Sequence, residues 1–135
     1  MNELLAMLSS TPSFFGYYLM GLFFLGAYFL IYTRVTHFHE MALIREGNTA
    51  AATTLVGSAL GFSLPLASAI IHTASAQEFV FWSVIALVTQ IVTYLFLKAL
   101  LKDVDLQIKS NNTAFGILAG GIALVVGLIN AACVA

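Results

Sequence analysis

Four long apolar stretches set the main constraint on how this chain can fold. They occupy residues 13–33, 49–71, 79–101 and 113–134, and residues 49–71 contain no ionisable side chain. Each stretch has about 20 residues or more, the length that an α-helix needs to cross the hydrocarbon core of a bilayer. Hydrophobic residues make up 61% of the 135 residues and charged residues only 8%, and a soluble domain of this size could not bury so much apolar surface. We therefore predict an all-α integral membrane protein with four transmembrane helices.

The apolar pattern divides the chain into four parts. Residues 1–12 would form an extracytoplasmic N-terminal segment, kept in the mature protein because it lacks the basic region of a signal peptide. We expect a short surface helix there, with Pro12 at the start of the first span, where proline is tolerated. Residues 13–71 hold the first pair of spanning helices, residues 72–78 an extracytoplasmic link, and residues 79–135 the second pair.

The basic residues indicate the orientation in the membrane. All of them lie after the first stretch or near the end of the third and beyond it: Arg34, Arg45, Lys98, Lys102 and Lys109. The positive-inside rule makes these two loops cytoplasmic, so both termini and the link should be extracytoplasmic. Tyr28, Tyr32 and Tyr94 lie towards the same end of the spans, which is the pattern of an aromatic belt at the membrane interface, although Tyr28 and Tyr94 lie somewhat deep for it.

The two halves of the sequence repeat each other at a fixed offset. Asn48 and Asn112 are 64 positions apart (112 − 48 = 64), and the halves align at this offset without a gap. The identical pairs are Ile44/Ile108, Asn48/Asn112, Thr49/Thr113, Ala50/Ala114, Gly57/Gly121, Ala59/Ala123, Leu60/Leu124, Leu64/Leu128 and Ala67/Ala131. We predict two tandem, parallel two-helix repeats related by an axis along the membrane normal. Asn48 and Asn112 would each cap the second helix of a repeat.

Small residues mark the helix faces that should pack most closely. In the second span they recur on one face at Ala50, Thr54, Gly57 and Gly61. The fourth span repeats this arrangement with Gly116, Gly120, Ala123 and Gly127, and Asn130 continues that face. This spacing allows two helix backbones to approach each other inside a membrane.

A few polar residues lie within the spans. Ser83, Gln90 and Thr93 share one stripe of the third span, and Asn130 lies in the fourth span at the depth of Ser83. Such a stripe is either a polar conduit that contacts a substrate or a set of hydrogen bonds between helices. We favour hydrogen bonding, with Asn130 pairing to the third span, because no charged group accompanies the stripe.

The loop between the first two spans holds the other candidate functional residues: His37, His39, Glu40, Arg45 and Glu46. Imidazole and carboxylate groups suit several divalent metals, but His37 and His39 would diverge on a helix, and no fourth ligand is visible. We therefore predict no metal site, and treat the loop charges as exposed. A water-facing helix and a pH response of the histidines remain alternative interpretations.

A set of motifs resembles a known family. The motifs are Thr36-x-x-His39-Glu40, then Ile44-x-x-Gly47-Asn48-x-Ala50-Ala51-Ala52, then Gly57-x-x-x-Gly61. They resemble the YjfL family of bacterial inner-membrane proteins, a domain of unknown function numbered 350 that is built from paired two-helix hairpins. The second repeat departs from that pattern, with Asn111 in the glycine position and Phe115 where alanine is usual. The resemblance covers nearly the whole chain and implies the bacterial cytoplasmic membrane, but it brings no activity and no catalytic residue.

These observations narrow the function. A net charge of −1 and the lack of a basic patch give no signal for nucleic acid, and the lone Cys133 rules out an internal disulfide. No nucleophile–base pair is apparent, so we predict no enzyme and no cofactor. We interpret the chain as a membrane module that assembles in the lipid bilayer with itself or with another membrane or cytoplasmic protein. The alternative is a small oligomeric channel or transporter for an ion or small solute, although the acidic residues at helix ends and in loops argue against proton coupling.

Reporter fusions test the predicted orientation. Fusions at the N-terminus, in the 72–78 link and at the C-terminus should report an extracytoplasmic location, because no basic residue lies near them. A periplasmically active alkaline phosphatase fused after residue 40 would contradict the prediction.

Overall fold

The structure is a computed structural model that describes residues 1–36 and 39–134. Within these ranges the chain is helical and contains no strand. Its helices are α1 (Asn2–Val35), α2 (Glu40–Arg45), α3 (Thr49–His72), α4 (Ala76–Leu100), α5 (Val104–Lys109) and α6 (Thr113–Cys133). Of these, α1, α3, α4 and α6 are long and apolar enough to span a membrane. The predicted all-α membrane fold with four spanning helices is confirmed.

The spanning helices alternate in direction. The short helices α2 and α5 connect them at one end of the bundle, which we call the loop end. The connection between α3 and α4 lies at the opposite end, which we call the link end, and is only three residues long, from Thr73 to Ser75. The Ser75 side chain accepts a hydrogen bond from the backbone N–H of Glu78 and so caps α4.

The first helix is longer than predicted. α1 begins at Asn2 and runs through Pro12 without interruption, so the expected start near Pro12 and a separate surface helix before it are wrong. Leucine, alanine and methionine in residues 4–8 are strong helix formers, and a proline removes only one backbone hydrogen bond. At about 1.5 Å per residue, the 34 residues of α1 extend about 51 Å, well beyond a hydrocarbon core of about 30 Å.

The helices α3 and α6 pack backbone against backbone along their small-residue faces. A Cβ atom added to Gly57 would lie 2.5 Å from the Cα of Gly120, and one added to Gly61 would lie 2.3 Å from the carbonyl oxygen of Ala123. At Gly127 the added atom would lie only 1.9 Å from the carbonyl oxygen of Gly61. Gly116 is equally close to Ala50, at 2.6 Å from its carbonyl oxygen. At these four positions only glycine, which has no Cβ atom, allows the two helix backbones to lie so close together.

The helices α1 and α4 pack on one side of this pair through aromatic rings. The rings of Tyr28 in α1 and Phe62 in α3 stack with centroids 4.7 Å apart. Tyr32 meets Tyr94 of α4 edge to face at 5.4 Å, and nearer the link end Phe24 meets Phe79 at 5.9 Å. Tyr28, Tyr32 and Tyr94 are thus buried, and the expectation of an interfacial tyrosine belt is wrong for them. α1, α3 and α4 all contact one another, so these rings fill the interior of the bundle instead of facing the lipid headgroups.

The loop-end elements keep the sequence offset of 64. α2 spans residues 40–45 and α5 spans residues 104–109, while α3 begins at Thr49 and α6 at Thr113. Gly47 and Asn111, which precede these two starts, both have a positive φ, at 86° and 61°. The tandem repeat itself stays a prediction.

Alanine substitutions can measure the α3–α6 contact. Gly127→Ala and Gly57→Ala should each lower the free energy of unfolding by about 1–3 kcal/mol, because the new methyl group overlaps backbone that cannot move alone. Thermal unfolding in a mild detergent is a suitable measurement. Gly16→Ala is the matched control, since a Cβ at Gly16 meets no described atom within 4 Å. Equal melting temperatures for all three variants would contradict a backbone-to-backbone contact.

Candidate functional site

Two asparagines join the loops of the two halves. The Oδ1 of Asn48 accepts the backbone N–H of Ala51 at 2.9 Å, which is the predicted helix cap. Its Nδ2 reaches across the bundle and donates to the carbonyl oxygen of Ile108 at 2.8 Å. In the other direction, the Oδ1 of Asn111 accepts the backbone N–H of Ala50 at 3.1 Å. Each loop therefore satisfies backbone groups of the other half, which fixes the loop end.

Asn112 lies at the predicted N-cap position of α6, but its side chain makes no capping bond within the described residues. Its Nδ2 donates instead to the Oε1 of Gln107 at 2.9 Å. The first-turn N–H of Phe115 bonds to the backbone carbonyl of Asn112. The prediction of a side-chain cap at Asn112 is wrong, because the α5 glutamine holds the amide.

A polar cluster lies between the loops at the loop end. One part of it is Glu40, the first residue of α2, which is only 3% exposed. The Thr36 hydroxyl, just after α1, donates a hydrogen bond to the Oε1 of Glu40. Burial raises the pKa of the Glu40 carboxyl, the Thr36 hydrogen bond lowers it in part, and the nearby negative charge of Asp105 raises it further. The expectation of an exposed charge at Glu40 is wrong, because the side chain at the start of α2 is buried at the loop end of the bundle.

The other part of the cluster centres on Asp105 in α5. The hydroxyl of Tyr94 donates to the Oδ1 of Asp105, and the Nζ of Lys98 lies 3.2 Å from its Oδ2. Beside this group an open pocket of about 420 Å³ is lined by residues that include Lys98, Asp103, Asp105 and Lys109. The pocket gives the cluster access to the solvent at the loop end.

We call these side chains the loop-end cluster: Thr36, Glu40, Tyr94, Lys98 and Asp105. Next to it, the Tyr32 hydroxyl is buried and has no hydrogen-bond partner among the described residues. The cluster contains two carboxyl groups and one ammonium group, so a neutral Glu40 would leave the Lys98–Asp105 pair electrically balanced. Its chemistry suits the binding of a proton. Within residues 1–36 and 39–134, His, Cys, Asp and Glu form no group of three suited to a metal ion.

The other loop residues singled out from the sequence do not join this cluster. His37 lies outside the described residues. His39 is exposed at the N-cap of α2, and Arg45 and Glu46 are exposed at its far end. The structure therefore separates Glu40, which is buried, from three side chains that face the solvent.

The polar residues within the spans have different surroundings. Gln90 is buried, and its Nε2 donates to the carbonyl oxygen of Gly61 at 3.0 Å and more weakly to that of Ala123 at 3.5 Å. The Thr93 hydroxyl bonds to the Thr89 carbonyl one turn earlier in α4. Ser83 Oγ and Asn130 Nδ2 are buried without a hydrogen-bond partner in the described part of the chain, so the expected pairing of Asn130 is not seen.

Sequence reasoning missed Asp105 and misread Tyr94. The usable signal was a spacing of four residues in α4, where Gln90, Tyr94 and Lys98 fall on one helix face. A lysine and a tyrosine next to a buried glutamine indicate that this face continues as a polar surface into the loop end. Asp105 itself gave no periodic signal, because it lies in a six-residue helix.

The protonation of Glu40 should appear in the pH dependence of stability. A carboxyl whose pKa is raised in the folded state stabilises the fold below its ordinary value of 4.5, and this stability is lost as the pH rises through the folded-state pKa. Glu40→Gln cannot ionise, so its melting temperature should fall less than that of the wild type as the pH rises above 4.5. Glu46→Gln, at an exposed position, is the control and should follow the wild type. Parallel pH profiles for Glu40→Gln and the wild type would exclude a titrating Glu40.

Comparison with known proteins identifies the family. The family described as "Domain of Unknown Function (DUF350)" matches residues 6–134. The UPF0719 inner membrane protein YjfL of Escherichia coli (strain K12) is 34% identical over 126 residues, which cover 93% of this chain and 96% of that protein. The protein of the same name from Escherichia coli O157:H7 has the same identity and coverage. No solved structure matches the chain. The resemblance inferred from the loop motifs is confirmed, and the chain is a multi-pass inner membrane protein that belongs to the DUF350 family.

Proposed function

We propose that the protein is a non-enzymatic membrane module that assembles with itself or with another protein and presents the α2 loop to the cytoplasm. The observation that carries this proposal is the position of Gln90. A polar group that lined a water path would face a cavity, whereas the Nε2 of Gln90 donates to backbone carbonyls of both α3 and α6, and its Oε1 is buried without a partner among the described residues. Gln90 therefore serves the packing of three helices, as polar residues commonly do between membrane helices.

The exposed side of α2 supports a recruiting role for the loop. Arg45 and Glu46 are exposed at the end of the helix, and Met41 is an exposed apolar side chain near its start. A small apolar surface bordered by charges is typical of a site for a protein partner. The positive-inside rule puts this surface in the cytoplasm.

The proposal includes the two tandem repeats. The supporting observations are the shared offset of 64 residues between α2 and α5, and the same offset between the starts of α3 and α6. The positive φ angles at Gly47 and Asn111 add to them. Both repeats would then have the same orientation in the membrane, with their loop helices on the cytoplasmic side.

The second candidate function is a small oligomeric channel or transporter for an ion or small solute. One observation favours it: Glu40 is a buried carboxyl close to Asp105, although neither lies in a spanning helix. A group whose pKa is shifted by burial and by a nearby charge is a candidate for a functional site. The loop-end cluster would then bind protons that are exchanged with the cytoplasm through the pocket beside Lys98.

One pair of assays separates the two functions. Arg45→Glu and Glu46→Lys should abolish the recovery of a partner in a mild-detergent purification followed by native mass spectrometry. Lys109→Glu is the matched control, because Lys109 stands at the position equivalent to Arg45 in the second repeat (45 + 64 = 109) and is also exposed. These variants should keep the wild-type melting temperature, since exposed charges contribute little to stability.

The Gln90→Leu variant tests the alternative. In reconstituted liposomes we expect no solute or proton flux from either the wild type or the variant. The variant should also be less stable, with its free energy of unfolding lowered by about 1 kcal/mol because the interhelical hydrogen bond is lost. Flux that depends on Gln90 or Glu40 and is unaffected by Arg45→Glu and Glu46→Lys would overturn the module and support a transporter.

A further inference from the structure

We propose that copies of this chain join head to tail, with α1 and α3 of one copy packing on α4 and α6 of the next. The arrangement would copy the way in which α4 and α6 pack on α1 and α3 inside the chain. This inference rests on the self-assembly in the proposed function, and it adds the interface and the order of the copies.

When the two halves are aligned at the offset of 64 residues, α3 and α6 contact each other through opposite helix faces. α3 contributes the face of Ala50, Thr54, Gly57 and Gly61, whereas α6 contributes Gly116, Gly120, Ala123 and Gly127. Subtracting 64 places the α6 face at positions 52, 56, 59 and 63 of the repeat. Two positions correspond to about 200° around a helix. The contact between the halves therefore joins two different faces, which makes it heterologous, or head to tail. It leaves one face of α3 and one face of α6 unused.

The two unused faces of α3 and α6 complement each other in size. On α6 the unused face is Ala114, Leu118, Gly121 and Val125, which are all exposed. On α3 it is Ala52, Val56, Ala59 and Ser63, which are exposed or half-buried. The internal pair Gly57–Gly120 becomes Gly121–Val56 between copies, and the pair Gly61–Ala123 becomes Val125–Ala59. Each new pair joins a larger side chain to a smaller one, so the helices can pack, although less closely than α3 and α6.

α1 also has an unused face, on the side that is turned away from the bundle. α4 buries a face that contains Phe79, Ser83, Ala86, Gln90, Tyr94 and Leu97. The equivalent positions of α1 are Phe15, Leu19, Leu22, Gly26, Leu30 and Thr33, and all of them are exposed. Only 6% of the most apolar window of α1 is buried, compared with 28% for α4. α1 thus leaves uncovered the positions that correspond to the buried face of α4; Phe15 matches Phe79 there, whereas Gly26 stands at the position of Gln90.

A groove that could receive this face of α1 lies between α4 and α6. Within the chain α4 packs against Tyr28, Tyr32 and Phe62 of the first repeat, which are at most 1% exposed. Their equivalents Val92, Phe96 and Val126 line an apolar groove of about 330 Å³ between α4 and α6. Phe96 is 63% exposed there. A first helix from a second copy fits this groove as α4 fits the one between α1 and α3.

Disulfide trapping can test this arrangement. Tyr32 and Tyr94 touch inside the chain with ring centroids 5.4 Å apart, so their equivalents Phe96 and Leu30 should touch between copies. Within one chain both residues are exposed, on faces turned away from the contact of Tyr32 with Tyr94. We would place Leu30→Cys and Phe96→Cys together in a Cys133→Ala background and oxidise the protein in native membranes. A ladder of crosslinked dimers and larger species is expected.

Three controls make the result specific. Leu30→Cys alone and Phe96→Cys alone should give no crosslinks, because a head-to-tail interface brings two different residues together. Co-expression of the two single variants should stop at dimers. The pair Leu30→Cys with Leu95→Cys should not crosslink, since Leu95 lies at the same depth on a different face of α4.

The outcomes also separate this inference from the proposed function. A ladder from the double variant alone supports the head-to-tail interface. Dimers from a single cysteine variant would indicate a symmetric interface and overturn the inference, while self-assembly would stand. A monomer by native mass spectrometry, with no crosslinks, would overturn both the interface and self-assembly. If that monomer carried a bound protein, the module would remain with a different partner.

Discussion

The contact of α3 with α6 is the constraint on which the rest of the structure depends. Lipid supplies no hydrophobic force between apolar helices, so close packing and hydrogen bonds have to hold them together. The glycines at 57, 61, 116, 120 and 127 permit a backbone separation that any larger residue would prevent. This approach brings the carbonyl oxygens of Gly61 and Ala123 so close that one donor, the Gln90 amide, reaches both. The position of α4 therefore follows from the α3–α6 contact.

The same pair of helices also fixes the loop end. Because α3 and α6 begin side by side, Asn48 can cap its own helix while its amide donates to the carbonyl of Ile108 in the other loop. In the other direction, the Oδ1 of Asn111 accepts a hydrogen bond from the backbone N–H of Ala50. The bonds to the N–H groups of Ala50 and Ala51 satisfy first-turn donors of α3 that have no partner within that helix. With the loops joined in this way, Glu40 and Asp105 come from different halves into one cluster.

Parts of this architecture could be predicted from the sequence, because they depend on local pattern. The number of spanning helices, the small-residue faces and the cap at Asn48 follow from composition and spacing alone. The burial of Tyr28, Tyr32 and Tyr94 could not be predicted in this way, since it depends on how α1, α3 and α4 pack against one another. The loop-end cluster was missed for a similar reason: Thr36, Glu40, Tyr94, Lys98 and Asp105 come from separate segments that only the folded bundle brings together. The start of α1 was missed because a proline was given more weight than the helix formers around it.

The two loop helices α2 and α5 begin with different buried residues, Glu40 and Val104, which lie 64 positions apart. Val104 is 1% exposed and packs in one apolar cluster with Ala50, Ala51 and Ile108. A buried apolar side chain is therefore sufficient to hold a loop helix under the bundle. Glu40 is about as buried as Val104, but its carboxyl group loses hydration, and among the described residues the Thr36 hydrogen bond offsets part of that loss. A carboxyl group at position 40 is therefore penalised by burial, whereas the apolar side chain of Val104 at the start of α5 is not, so the two loop helices differ in the polar contacts that Glu40 makes.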